Sequence, residues 1–166
     1  MSGLSTDKII REYFKQKDIL VKHQIESYND YIYNIIPNIL SQFFPISIDI
    51  NNENICIHKI ELHFENYSIA NPYYTENNGC SNVLYPSIAR LRNYTYSLSI
   101  FIDLIVIISI SENDSIVILP NHKIKNVLLG KIPIMVKSKY CTWEKDINMC
   151  PFDLGGYLIV NGNEKV

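Results

Sequence analysis

The side chains best suited to chemistry are two arginines, Arg90 and Arg92, and a run of lysines. Lys123, Lys125, Lys131, Lys137 and Lys139 fall within residues 115–143, a stretch with no carboxylate. Guanidinium and ammonium groups bind phosphate oxygens, and this spacing could follow a nucleic-acid backbone. Each feature also has an ordinary explanation. Lysines spread over such a length are common on a solvated strand face. Arginines beside Tyr85, Tyr94 and Tyr96 often pair and stack for structural reasons. Other chemistries lack their residues. The six glycines, Gly3, Gly79, Gly130, Gly155, Gly156 and Gly162, form neither a G-x-x-x-x-G-K-[ST] loop nor a G-x-G-x-x-G turn. His58 and His63 lie near Cys56, but on a strand they face opposite sides and cannot share a metal. No D-x-D pair and no G-x-S-x-G elbow occur. The residues alone describe a non-catalytic domain with a mildly basic half.

The chain has 166 residues, 47% hydrophobic and 19% charged, with a formal charge of -2. That is enough for one domain with a buried core, and neither a disordered tail nor a polybasic arm. Residues 1–83 carry 6 basic and 10 acidic side chains, net -4, and residues 84–166 carry 9 and 7, net +2. The 29 Ile, 18 Asn and 12 Tyr follow from AT-rich codons and carry no functional weight. Residues 98–110 are the most apolar stretch, but Asp103 interrupts them, and they fall short of the roughly 20 residues a membrane helix needs. The N-terminus lacks a basic region followed by an apolar run, so a reducing compartment is expected. Cys56, Cys80, Cys141 and Cys150 form no C-x-x-C pair and read as free thiols. The sequons at Asn66, Asn93 and Asn113 read as silent.

These residues need elements to position them. Ser5, Thr6 and Asp7 can cap a short helix whose Ile9, Ile10, Tyr13 and Phe14 share a face. Asp18 can cap a longer one carrying Ile19, Ile25, Tyr28, Ile32, Ile35 and Ile36 up to Pro37, which starts or kinks a turn through Phe44. The period then changes from about 3.6 to about 2. Strands are predicted at 46–50, 55–67, 95–110, 115–119 and 123–129, with turns at 51–54 and at Pro120 and Asn121. Residues 71–82 read as a polar loop and 86–92 as one or two helical turns. Near the end, Asn161, Gly162 and Asn163 carry hairpin turn chemistry between strands at 157–160 and 164–166. The fold class is α+β: N-terminal helices followed by a mostly antiparallel sheet.

Four segments, in order, carry a resemblance. Residues 84–96 read L-Y-P-S-I-A-R-L-R-N-Y-T-Y and resemble the L-Y-P-x-E-A-R-L-R-N-L-T-Y segment of the second-largest subunit of multisubunit DNA-directed RNA polymerases. Residues 130–141, G-K-I-P-I-M-V-K-S-K-Y-C, are similar to that family's G-x-[IL]-P-I-M-L-R-S-x-x-C. Residues 153–166, D-L-G-G-Y-L-I-V-N-G-N-E-K-V, resemble its D-x-G-G-Y-F-I-[IV]-N-G-x-E-K-V. Upstream, residues 20–32, L-V-K-H-Q-I-E-S-Y-N-D-Y-I, match the helix L-V-x-x-Q-[LI]-x-S-[FY]-N-x-F-[IV]. The L-Y-P opening and the E-K-V ending resemble the eukaryotic and archaeal form rather than the bacterial one. With the AT-driven composition, a large DNA virus encoding its own polymerase is the kind of source this suggests.

The resemblance implies that residues 1–166 are the first part of the protrusion, a domain that is discontinuous in the family. There the chain leaves after the hairpin, builds the lobe and returns, so an incomplete domain is expected, with Ile100, Ile102, Leu104 and Val106 partly uncovered. It also implies a share in DNA-templated RNA synthesis as a wall of the DNA cleft near the RNA–DNA hybrid, with no catalytic residue here and no activity of the fragment alone. Magnesium is expected in the whole polymerase, held by other carboxylates, and no cofactor on this part. The implied partners are the largest and other polymerase subunits, the DNA template and RNA–DNA hybrid, and initiation factors, with no membrane. The implied location is intracellular: nucleus or cytoplasm, or a virion if viral. Lys165 carries over to the basic residue of E-[KR]-V and would contact phosphate, with Arg90 and Arg92 as further nucleic-acid-binding candidates. Ile88 stands where the family has glutamate, which would cost one of these arginines a partner. The alternative is a free-standing, non-enzymatic module that binds polymerase subunits or nucleic acid.

Overall fold

The computed structural model describes residues 6–15, 19–50, 57–112 and 115–166. The expectations for Ser5, Asp18, the 51–54 turn, Cys56 and the sequon at Asn113 lie outside the described residues. The described elements divide into two compact units. Unit 1 holds residues 1–31, 72–97 and 133–166, and unit 2 holds residues 32–71 and 98–132.

Unit 1 is built from short elements. Helix α1 (Thr6–Phe14) forms as its periodicity predicts, but its apolar face stays open to solvent, with Ile9 56% and Phe14 60% exposed. Helix α2 (Lys22–Asp30) starts at Lys22, with Val21 at the N-cap and no side-chain cap. The single long helix expected up to Pro37 is divided: a π turn (Tyr31–Ile35) leads into α3 (Ile36–Phe43), which belongs to unit 2 apart from that turn's first residue. Pro37 has no N–H to donate one turn back, and widening the preceding turn is one way a helix accommodates that.

Besides α3, unit 2 holds one five-stranded sheet built from β1 (Ile46–Asp49), β2 (Ile57–Ala70), β5 (Ser97–Glu112), β6 (Ser115–Ile118) and β7 (His122–Pro133), with the first residue of β5 and the last of β7 falling in unit 1. The strand order is β1-β2-β5-β6, with β7 also on β5. The β1–β2, β2–β5 and β5–β6 pairs are antiparallel, as the α+β reading requires. Strand β5 is central because its Ile- and Val-rich sequence fits a pleated, buried surface. Leu98, Ile100 and Ile102 are buried there, and Ile32, Ile36 and Leu40 are buried in the same unit. Ile100 and Ile102 are therefore covered, contrary to expectation, while Leu104 and Val106 are half-buried. Lys59, Glu61 and His63 share a face of β2, with Nζ–Oε1 at 2.7 Å and Nε2–Oε2 at 3.3 Å. Phe64, on the other face, stacks on Phe44 at 5.9 Å.

Residues 71–82 are not a plain loop. Strands β3 (Tyr73–Thr75) and β4 (Ser81–Val83) form a small hairpin closed at Gly79, whose φ is +84°. Most of its side chains are exposed, so no apolar alternation marks it in the sequence. Helix α4 (Pro86–Leu91) follows, and β8 (Leu158–Val160) pairs with β9 (Asn163–Lys165). Asn161 at φ +50° and Gly162 at φ +78° make the two-residue turn that the sequence predicts. Cys80, Cys141 and Cys150 are free thiols. Among the described residues no helix is long and apolar enough to cross a membrane.

Candidate nucleic-acid interface

The four motif segments converge in unit 1. Tyr96 N donates to Ile159 O at 2.9 Å and Ile134 N to Tyr96 O at 2.8 Å, which joins three segments through one residue. Val136 N donates to Tyr157 O at 2.9 Å and Gly156 N to Val136 O at 3.0 Å. Helix α2 is tied in by Tyr28, whose hydroxyl donates to Pro133 O at 2.8 Å, and by Asn29, whose Oδ1 accepts from Lys139 N at 3.1 Å. Tyr96 is fully buried, and its hydroxyl meets Thr142 Oγ1 at 3.0 Å and accepts from Thr142 N at 2.8 Å. Burial pushes the phenols of Tyr28, Tyr96 and Tyr157 well above the ordinary tyrosine range. For Tyr157, the hydrogen bond to Asp153 adds to that.

Helix α4 carries Arg90, and Arg92 stands at its C-cap. Pro86 occupies its first turn, where a missing N–H costs nothing. The buried Asp146, 59 residues along the chain, accepts from Ser87 N at 2.9 Å and Ser87 Oγ at 2.7 Å. No local sequence signal marks that contact. At the other end, Gly162 N donates to Tyr94 O at 3.1 Å, so the β8–β9 turn closes on the α4 C-terminus. A Cβ at Gly162 would meet Asn93 Oδ1 at 2.5 Å and Arg90 O at 3.1 Å.

Arg90 is half-buried, and its guanidinium is surrounded. Nη2 lies 3.4 Å from Asp153 Oδ2 and donates to Tyr157 OH, while Nη1 reaches Met149 Sδ at 3.4 Å. Nε sits 2.8 Å from Glu164 Oε1, an ion pair not aligned as a hydrogen bond. Tyr157 OH donates in turn to Asp153 Oδ2 at 2.5 Å. Arg92 is more exposed. Its Nη1 lies 3.5 Å from Glu76 Oε1 and its guanidinium 5.2 Å above the Tyr74 ring. It borders an open polar cleft of about 350 Å³ with Glu76, Asn77, Asn78 and Tyr94. Ile88 therefore leaves neither arginine without a carboxylate, which corrects that expectation. Arg90 is paired with Asp153 and Glu164, and Arg92 with Glu76.

Lys165 is exposed on β9, opposite Leu158. Its neighbour Glu164 is opposite the buried Ile159 and is engaged by Arg90. Strand alternation sends Glu164 and Lys165 to opposite faces. Among the described residues Lys165 has no ion pair. The five lysines of 115–143 are divided between the units: Lys123, Lys125 and Lys131 lie in unit 2, Lys137 and Lys139 in unit 1. Lys123 pairs with Glu65, and Lys137 lies 5.1 Å from the centre of the Trp143 ring. The described residues contain no group of three or more His, Cys, Asp or Glu side chains placed to hold a metal ion.

A family model described as RNA polymerase beta subunit matches residues 19–166. The chain belongs to this family. Relatives of the chain come from eukaryotes, archaea and a virus, in keeping with the motif reading. It is 33% identical over 172 residues to the DNA-directed RNA polymerase II subunit 2 of Arabidopsis thaliana, covering 95% of the chain and 14% of that protein. It is 39% identical over 162 residues to the DNA-directed RNA polymerase subunit 2 of Acanthamoeba polyphaga mimivirus, covering 92% and 13%. It is 31% identical over 166 residues to the DNA-directed RNA polymerase subunit Rpo2N of Methanothermobacter thermautotrophicus (strain ATCC 29096 / DSM 1053 / JCM 10044 / NBRC 100330 / Delta H), covering 95% and 28%. The chain thus spans a small part of the relatives it matches.

Proposed function

We propose that this chain works within a DNA-directed RNA polymerase, where residues 1–166 form the first part of the protrusion and line the DNA cleft near the RNA–DNA hybrid. Its contribution to nucleotidyl transfer is architectural. Magnesium would be held by carboxylates elsewhere in the assembly, and no step through the metal is assigned to these residues. The partners are the largest and other polymerase subunits, the template and hybrid, and initiation factors, in the nucleus, the cytoplasm or a virion.

The observation that carries this reading is the β8–β9 hairpin. It is tied by Gly162 N to Tyr94, in the segment after α4, and to α4 by the Arg90–Glu164 pair, and it exposes Lys165. An unpaired ammonium on a rigid turn can contact phosphate, positioning the nucleic acid without reading its sequence. Arg92, exposed beside the polar cleft and paired with Glu76 at its rim, is the second candidate cation.

The test is the salt dependence of binding between the full chain and a short labelled RNA–DNA hybrid. Lys165→Met is expected to weaken binding and to reduce the slope of log K against log salt by about 0.9, the loss of one phosphate contact. An unchanged slope would refute Lys165 as a phosphate ligand. Co-purification of the tagged chain with the largest polymerase subunit tests the assembly itself.

A further inference from the structure

Arg90 is the least accessible of the three cations yet has the most partners. It joins three pieces of chain: α4, which carries it; residues 149–157, through Met149, Asp153 and Tyr157; and β9, through Glu164. Asp153 is itself fixed, since its Oδ1 accepts from Gly155 N at 2.8 Å. Glu164 is thus held against α4 beside the buried Ile159. Because consecutive strand residues point to opposite faces, anchoring Glu164 on one face sets the direction of Lys165 on the other. Long charged side chains lose rotamer entropy when they bind, and a preset backbone lowers that cost.

We infer that Arg90 is a positioning residue for Lys165: it does not bind phosphate, but orients β9 through Glu164 so that the Lys165 ammonium is presented to a nucleic-acid backbone. The inference rests on the proposed phosphate contact of Lys165. It separates two arginines that sequence alone treats alike, Arg90 as an internal anchor and Arg92 as an exposed contact.

The test is a double-mutant cycle in the same hybrid-binding assay on the full chain. Arg90→Met should weaken binding several-fold and lower the salt slope by about 0.9, as Lys165→Met does. The double variant Arg90→Met/Lys165→Met should be no worse than Lys165→Met alone, because both changes remove one contact. Additive losses, with the slope falling by about 1.8, would make Arg90 a phosphate ligand and overturn the inference. A lowered melting temperature with unchanged affinity and slope would also overturn it, reducing Arg90 to a structural role. If Arg90→Met does not fold, Glu164→Gln decides. It removes a negative charge, so electrostatics alone predicts tighter binding, whereas loss of the anchor predicts weaker binding. A hybrid that binds Lys165→Met as well as the original chain would refute the underlying reading. An effective Lys165→Met with a silent Arg90→Met and a tighter-binding Glu164→Gln would refute the positioning role alone.

Discussion

The two units bury apolar residues with opposite kinds of construction. In unit 2, β2 and β5 run 14 and 16 residues and pair along most of their length, so the ladder itself satisfies the backbone. In unit 1, β8 and β9 have three residues each and α4 has six. Elements that short leave many backbone groups outside any ladder, and side chains from distant segments complete them: Asp146 for Ser87, Asn29 for Lys139, Thr95 for Asn161. A regular sheet tolerates local change because each ladder bond is one of many. An assembly of short segments depends on individual contacts, and in return it can hold one side chain such as Lys165 in a defined place. The candidate phosphate contacts are accordingly in unit 1.

The largest test of this contrast is truncation of the unit 2 core. Ile102→Ala, at a position 4% exposed, is expected to cost about 3 kcal/mol in urea unfolding followed by far-ultraviolet circular dichroism. A loss below about 1 kcal/mol would show that unit 2 does not rest on β5 packing.

A somewhat smaller loss is expected in unit 1 from a single methyl group. Gly155 has φ +74°, and a Cβ there would lie 2.8 Å from Val136 O, a backbone atom that cannot swing away. Gly155→Ala should cost about 2 kcal/mol, from the left-handed backbone and the clash together. Trp143, the only tryptophan, lies in unit 1, so its fluorescence reports that unit. An unchanged midpoint by this probe would remove the claim that unit 1 depends on single contacts.

The third and smallest effect is pH dependence, which should divide the units. Tyr28, Tyr96 and Tyr157, whose phenols are raised chiefly by burial, all belong to unit 1. A raised pKa means that their contribution is complete below the unfolded phenol value, about 10, and is lost as pH rises beyond it. In unit 2 the hydrogen bond from Lys59, and next that from His63, hold the half-buried Glu61 carboxyl below its usual range. Its contribution is present above the unfolded carboxylate value and is lost as pH falls through the lower folded one. Trp143 fluorescence and tyrosinate absorbance should therefore report alkaline loss of unit 1 first. Simultaneous loss of the sheet's circular dichroism signal would show that the two units do not titrate separately.

Much of this molecule is local and so was legible in the residues. The 3.6-residue period running up to Pro37, the alternation of 55–67 and the Asn161-Gly162 turn each depend on neighbours a few positions apart; the turn and the strand formed, the strand running on to Ala70, while the helix formed in separate pieces. The four motif segments likewise identified the family before any contact was known. The β3–β4 hairpin was not legible, because its side chains are mostly exposed and carry no apolar period. The division of the helix before Pro37 was not legible either, since a proline signals a disturbance without saying how the turn absorbs it. The roles of the arginines depended on partners far along the chain. Asp153 and Glu164 lie 63 and 74 positions from Arg90, and only folding brings them against the guanidinium. Sequence determined that basic side chains, hairpin chemistry and family motifs exist here. Tertiary structure alone decided which cation is neutralised and which is left exposed, because ion pairing depends on distance in space and not on distance along the chain.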